Sequence, residues 1–421
     1  MRSTLLLAAS LLSFSSPLQA QNATVGGSRL LDVETGRLVP DAVVRIENGV
    51  IVSAGPRRPG ETVTHDLGDA TLVPGLADVH VHLAMRAETG PYDELIETTA
   101  RAAVEGVANA RKTLEAGFTT VRDLGSRDLA DVALRDAIAA GSIPGPRMLV
   151  SVVSLSATGG HADKNELPPD VALQRLSGVA DGAEEIRRAV RRNVKYGADW
   201  IKVLATGGVT TPRSDPSAAD YSEEELRAAV AAAREKGRDV AAHAHGTEGI
   251  LRAVRAGVRS VEHASLLTDE AIAVVKGSGV FLVPNPYTSR YILERGAASG
   301  FTEEELGKSR RVVQWKMESL KKAIRAGISI AYGTDSGVQG HGLNARQFAI
   351  LVEAGMTPLQ AIQTATLVAA RLLRMEPRIG KLAAGFFGDV VAVRGNPLED
   401  VKALESPLFV MKEGRVALDR R

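Results

Sequence analysis

The imidazoles able to do coordination or acid–base chemistry are few in this chain, and they are gathered. The 421-residue sequence holds eight histidines and no cysteine. Two of them, His80 and His82, stand one residue apart in the apolar run "ADVHVHLAM". In a β-strand the side chains at i and i+2 leave the same face, so both imidazoles would enter one small volume. Further along come Asp123 in "VRDLG", His161 in "SATGGH", Lys202 in "DWIKVLATGG", His243 and His245 in "AAHAHG", His263 in "SVEHAS" and Asp335 in "YGTDSG". Only His65 and His341 are expected outside strands or their immediate ends.

Imidazoles and a carboxylate without any thiol make a nitrogen–oxygen donor set, suited to a borderline divalent cation such as zinc. A lone buried histidine is more often a hydrogen-bonded core residue, but a set anchored by an HxH pair points to metal. Lys202 is the odd member, since an ammonium repels cations and is costly inside an apolar strand. Its stem could carry the charge out to solvent. Alternatively, a neutral lysine that has captured carbon dioxide as a carbamate becomes an anionic two-oxygen bridge between two cations. Asp335 could be a helix cap or turn former; at a strand end among the others it reads as a ligand that also handles protons. No G-x-S-x-G elbow suggests a serine nucleophile.

The elements that must bring these residues together show two textures. Residues 21–75 and 376–421 read as short strands joined by turns, with "NG", "TG" and "EG" between them, which is the hairpin pattern. A small β-sandwich domain built from both chain ends is expected. From 76 to 375, short apolar runs such as "FTTVRDLG", "DVAAHAHG" and "ISIAYGTDSG" alternate with helical stretches such as "DGAEEIRRAVRRNVKYGA" and "SEEELRAAVAAAREKG". Several of these open on Ser, Thr or Asp with Glu three residues on, as capping boxes do. About eight strand–helix units are what an α/β protein of the (β/α)8 TIM-barrel type needs, and such a barrel carries its chemistry at the C-terminal ends of its strands.

Composition narrows the function. The 51 basic and 50 acidic residues nearly cancel, and aromatic residues are 4%, so the basic stripe with stacking rings that nucleic acid requires is missing. Residues 1–20 have a basic start, an apolar run and "LQA" before Gln21. This predicts a signal peptide cleaved near Ala20 and a periplasmic or secreted protein. No later run approaches the roughly 18 apolar residues that span a bilayer, so the mature form is expected off the membrane.

The motifs "GLADVHVHL", "IKVLATGGV", "AAHAHG", "SVEHAS" and "GTDSG", in this order between two β segments, resemble the amidohydrolase superfamily. More narrowly they resemble its imidazolonepropionase-like and prolidase-like branch, which includes carboxypeptidase-type enzymes and ochratoxin-hydrolysing amidohydrolases. The resemblance implies two divalent ions, zinc being the expected one. His80, His82 and Asp335 would hold one, His243 and His263 the other, and Lys202 as N6-carboxylysine would bridge them. His243 is the family position of the "HAH" pair, although His245 shares its face and the assignment could be reversed. A water shared by the ions loses its proton near neutral pH, its pKa falling from 15.7 to about 7. Asp335 would take that proton, and His161 would face the substrate or the oxyanion.

The implied reaction is cleavage of the amide next to a C-terminal amino acid, in dipeptides, N-acyl amino acids or ochratoxin A. The resemblance also implies a homo-oligomer, up to an octamer. Beside His161 and His245, the residues Tyr221, Arg213, Tyr287, Arg290 and Tyr291 are candidates to hold the substrate, with the surface as the plain alternative for any one of them. Other readings are hydrolysis of cyclic amides or lactones, an exported metal-binding protein with a vestigial site, and a two-lobed solute-binding protein.

Overall fold

The computed structural model describes residues 22–87, 96–168, 170–171 and 176–421. The expected export segment, 1–20, lies outside the described residues, as do parts of the loops after His82 and His161.

The chain ends form one sheet. Its strands are β1 (Ala23–Leu31), β2 (Leu38–Glu47), β3 (Val50–Pro56), β4 (His65–Asp66) and β5 (Ala70–Pro74) from the front of the chain. After the strand–helix region described next, β13 (Val390–Arg394), β14 (Phe409–Lys412) and β15 (Arg415–Asp419) join from the back. The order is β15-β14-β13-β5-β1-β2-β3, with β4 on β1. The expected β-sandwich is therefore a single hydrogen-bonded sheet. The reason is β5, which pairs with β1 on one side and with β13 on the other, so the front strands continue into the back ones. The turns are those the dipeptides announce: Asn48 and Gly49 both have positive φ, 52° and 76°, and so do Glu413 and Gly414, 49° and 77°, as tight hairpins require. Val25, Val44, Val390, Phe409 and Met411 share one buried cluster, which ties the two ends together. His65, expected outside strands, lies in β4 with its ring tilted against Phe409, the centroids 5.2 Å apart.

Between the ends, strand and helix alternate. The strands are β6 (Leu76–Val81), β7 (Phe118–Asp123), β8 (Arg147–Val150), β9 (Trp200–Leu204), β10 (Asp239–Ala244), β11 (Ser260–His263) and β12 (Phe281–Val283). The main helices are α1 (Thr99–Glu115), α2 (Ala130–Ala139), α3 (Gly182–Lys195), α4 (Glu223–Arg234), α5 (Thr247–Ala256), α6 (Asp269–Ser278), α7 (Pro286–Arg295) and α8 (Glu303–Ala326). Capping boxes open α4 at Ser222 and Glu225 and α8 at Thr302 and Glu305. At α3 the expected cap differs: the Asp181 carboxylate accepts from Thr158 instead of its own helix. The stretch "TPLQAIQTATLVAARLL" is broken by a π-helical turn at Thr364–Val368.

These strands form two parallel arrays, β6-β7-β8 and β9-β10-β11-β12. Isolated backbone bonds link them. Leu155 N donates to Lys202 O at 2.9 Å, Leu282 N to Ser329 O at 2.9 Å, and Asp335 N to His80 O at 2.7 Å. The run "ISIAYGTDSG", expected as a strand, makes bridges at Ile330 and Ser336 without a continuous ladder. Inside, Ala77, Val79, Trp200, Ala241, Phe281, Val283 and Ala331 pack into one apolar layer. Truncating a residue such as Phe281 to alanine there would cost about 3–5 kcal/mol.

Candidate metal centre

The ends of β6, β9, β10 and β11, with the 330s segment, deliver their polar residues to one cavity of about 620 Å³. Two groups of potential ligands lie in it: His80, His82 and Asp335, and His243, His245 and His263, each with donor atoms within 4.8 Å of one another. His80 Nε2 is 3.4 Å and His82 Nε2 3.3 Å from Asp335 Oδ1. Lys202 Nζ lies 3.3 Å from His80 Nε2. The groups adjoin, since the His80 and His263 rings are 5.3 Å apart and the His243 and His263 rings 4.5 Å apart.

The hydrogen bonds leave the ring nitrogens suited to coordination. His80 Nδ1 contacts Glu262 Oε2 at 2.9 Å and His82 Nδ1 contacts Gly125 O at 2.8 Å. A proton on Nδ1 in each directs the Nε2 lone pair at the site. His245 Nδ1 meets Ser265 Oγ at 2.7 Å. His243 Nε2 meets the Gly207 carbonyl at 3.1 Å, which leaves its Nδ1 lone pair free. His263 Nδ1 is buried with no hydrogen-bond partner among the described residues. A buried orphan nitrogen is costly unless an electrophile completes it. Backbone strain gathers here too: His263 and Asp335 have φ of 70° and 63°, a left-handed conformation rare for such residues and common at functional sites.

Burial sets the charges. It pulls His80 and His161 down to about 4, with the nearby Lys202 charge as the next cause, and takes His243, His245 and His263 well below their ordinary range. Neutral imidazoles are what a metal needs. At His82 the Asp335 carboxylate outweighs burial and raises the pKa. Burial brings Lys202 down to about 8, within reach of the neutral amine that forms a carbamate. The donor set therefore fits divalent cations and a modified lysine.

Not every expected residue joins. Asp123 stays out of both groups; its carboxylate accepts from Leu83 N at 2.8 Å and anchors the turn after β6. His161 lines the cavity, its ring 4.5 Å from His243 and its Nδ1 2.7 Å from Thr211 Oγ1. The substrate candidates Tyr221, Arg213, Tyr287, Arg290 and Tyr291 do not line it. The Tyr221 hydroxyl donates to Ala180 O, Tyr287 accepts from Arg346, and Arg290 forms a bidentate pair with Glu353. Arg213 is exposed.

Three participants were not singled out in the sequence. Glu262 and Arg122, both fully buried, pair at 2.9 Å behind His80, with Arg122 over the Trp200 ring. The signal for them was a charge inside an apolar strand run. Lys316, on α8, also lines the cavity, and nothing in the helical pattern of its segment marks it.

Fold and site together define the class: an α/β protein whose parallel strands carry a buried nitrogen–oxygen ligand set into one cavity. The chain belongs to the amidohydrolase family, which matches residues 71–417, and with it to the hydrolases that act on amide bonds. It is 36% identical to the ochratoxinase of Aspergillus niger over 361 residues, 80% of this chain and 73% of that one. It is 26% identical to the imidazolonepropionase of Deinococcus deserti over 400 residues, 86% and 87% of the two chains. Among solved structures it resembles a Xaa-Pro dipeptidase with methionine bound in its active site, with TM-score 0.88, 34% identity and 94% and 99% of the chains covered.

Proposed function

We propose that this protein is a binuclear metal-dependent amidohydrolase that cleaves the amide next to a C-terminal amino acid. The observation that carries this reading is the pair of adjoining ligand groups with Lys202 beside His80. His80, His82 and Asp335 would hold one ion, His243 and His263 the second with His245 turned to substrate, and Lys202 as a carbamate would bind both. Bound there, the ions, zinc being the expected one, would polarise the scissile carbonyl and make a water acidic near neutral pH.

The chain's own residues would do the rest. Glu262 keeps the proton of His80 on Nδ1. Asp335, through the oxygen not turned to His80 and His82, would accept a proton from the attacking water and return it to the leaving nitrogen. The Thr211 hydroxyl reaches both His161 Nδ1, at 2.7 Å, and the His161 carbonyl, at 2.6 Å. That carbonyl takes the hydroxyl's one proton, so Nδ1–H donates to Oγ1 and the Nε2 of the neutral ring would face the substrate as a hydrogen-bond acceptor.

Similarity to an ochratoxinase and to a dipeptidase holding an amino acid supports N-acyl amino acids, dipeptides and ochratoxin A as the substrates to try. Ring-opening hydrolysis is the second reading, favoured by the imidazolonepropionase likeness. The same proposal takes 76–375 as a closed (β/α)8 barrel, 21–75 and 376–421 as its companion domain, 1–20 as an export signal, and the mature protein as a periplasmic or secreted homo-oligomer.

The test is hydrolysis of that panel by metal-replete protein, with Lys202→Ala as control and metal counted by mass spectrometry. Release of a free amino acid, lost in the control, is expected. Two bound ions with no cleavage of the panel would sink the amino-acid reading and turn attention to ring substrates.

A further inference from the structure

One cation in the cavity has no part in this chemistry. Lys316 is 2% exposed and lines the cavity beside His245, His263 and Asp335. Its Nζ donates to the Asn285 carbonyl at 3.1 Å. Among the described residues it has no ion pair, and the carboxylate that acts on it is Asp335, through space. Lys308, the other buried lysine of α8, is matched by Glu304 at 2.6 Å; Lys316 has no such match. A buried, unpaired ammonium is costly.

The residue whose carbonyl it reaches carries unsatisfied polar atoms as well. Asn285 is fully buried in a left-handed conformation, φ 45° and ψ 54°, at the start of α7. Both its side-chain oxygen and its side-chain nitrogen lack partners among the described residues. The ammonium acts electrostatically on His245 and His263 and is acted on by Asp335, so it is exposed to both ligand groups across the shared cavity.

We infer that Lys316 forms the subsite that receives the substrate's carboxylate and so selects amides carrying a free acid beside the scissile bond. One ammonium matches a monoanion. The inference rests on the amide-hydrolase reading of the site and adds the determinant of its substrate class.

The test compares N-acetyl-L-phenylalanine with its carboxamide as substrates, and L-phenylalanine with L-phenylalaninamide as calorimetric ligands, on metal-replete wild type, Lys316→Met and Lys316→Arg. Melting curves check that each variant folds. The wild type should prefer the acid in both comparisons. In Lys316→Met the acid-to-carboxamide ratio of kcat/KM should fall by at least about tenfold, the effect of one lost charge-assisted contact, chiefly through KM, with partial recovery in Lys316→Arg. An unchanged ratio, or a wild type with no preference for the acid, overturns the inference. If neither substrate turns over, the amide-hydrolase reading fails for them and calorimetry decides the subsite alone. Tenfold weaker L-phenylalanine binding in Lys316→Met, with binding of the carboxamide kept, supports it, and equal binding overturns it.

Discussion

His80 and Glu262 are joined by a buried contact, Nδ1 to Oε2 at 2.9 Å, and the other carboxylate oxygen holds Arg122 at 2.9 Å. The Arg122 charge keeps Glu262 ionised despite its burial, and Glu262 in turn fixes the tautomer of His80. Glu262→Gln should weaken metal binding by about 10- to 100-fold, as loss of an outer partner of a ligand does. Leaving Arg122 uncompensated should also destabilise the metal-free protein by about 3–5 kcal/mol. Metal titration and urea unfolding of the metal-free form read the two effects separately. Unchanged metal affinity would show that His80 does not depend on Glu262.

Lys202→Ala should lose activity by more than about a hundredfold, beyond what loss of an outer partner accounts for. Lys202→Arg should be no better, because a guanidinium is not neutralised at accessible pH and cannot form a carbamate. An active Lys202→Arg variant would remove the modified lysine from the mechanism.

A side chain at Gly208 would strike His161, since a Cβ there meets the imidazole Nδ1 at 2.1 Å and Cε1 at 2.2 Å. The ring can move where backbone cannot, so Gly208→Ala should fold with little change in melting temperature while kcat/KM falls by about two- to tenfold, the range for losing one hydrogen bond to substrate. Retained kcat/KM would remove His161 from the substrate contacts.

Arg290 pairs with Glu353 away from the cavity, and Arg213 is exposed. Arg290→Ala and Arg213→Ala should leave kcat/KM within about threefold of wild type, and the loss of the surface pair should cost no more than about 1 kcal/mol. A selective rise in KM for acidic substrates would return either residue to the substrate site.

His341 is half-buried with Nε2 3.1 Å from Met85 O, and burial holds its pKa at about 4, against 6.5 for the free side chain. As pH falls, the unfolded chain takes up this proton first. The stability that the neutral ring contributes is therefore complete above pH 6.5 and is lost between pH 6.5 and about 4, by roughly 2–3 kcal/mol. His341→Gln, which does not titrate, should lose less unfolding free energy than wild type between pH 7 and 4.5. Parallel curves would show that the ring is not held neutral.

The local patterns were legible in the sequence because they depend on near neighbours. The i, i+2 spacing placed His80 and His82 together, the strand–helix rhythm set out β7 to β12, and the "NG" and "EG" turns follow from the few residues that tolerate positive φ. Each of these is decided within a few residues of the chain. What tertiary structure alone decided involves partners far apart. Glu262 meets His80 across 182 positions, and Lys316 enters the cavity from a helix whose pattern marks no site. Tyr221, Tyr287 and Arg290 turn to Ala180, Arg346 and Glu353 and do not line the cavity. Likewise β5 makes one sheet of the two chain ends, where two facing layers were expected. Residue type states which groups a side chain can satisfy, but a buried charge or hydroxyl takes the partner that packing brings within about 3 Å. That choice belongs to the folded chain.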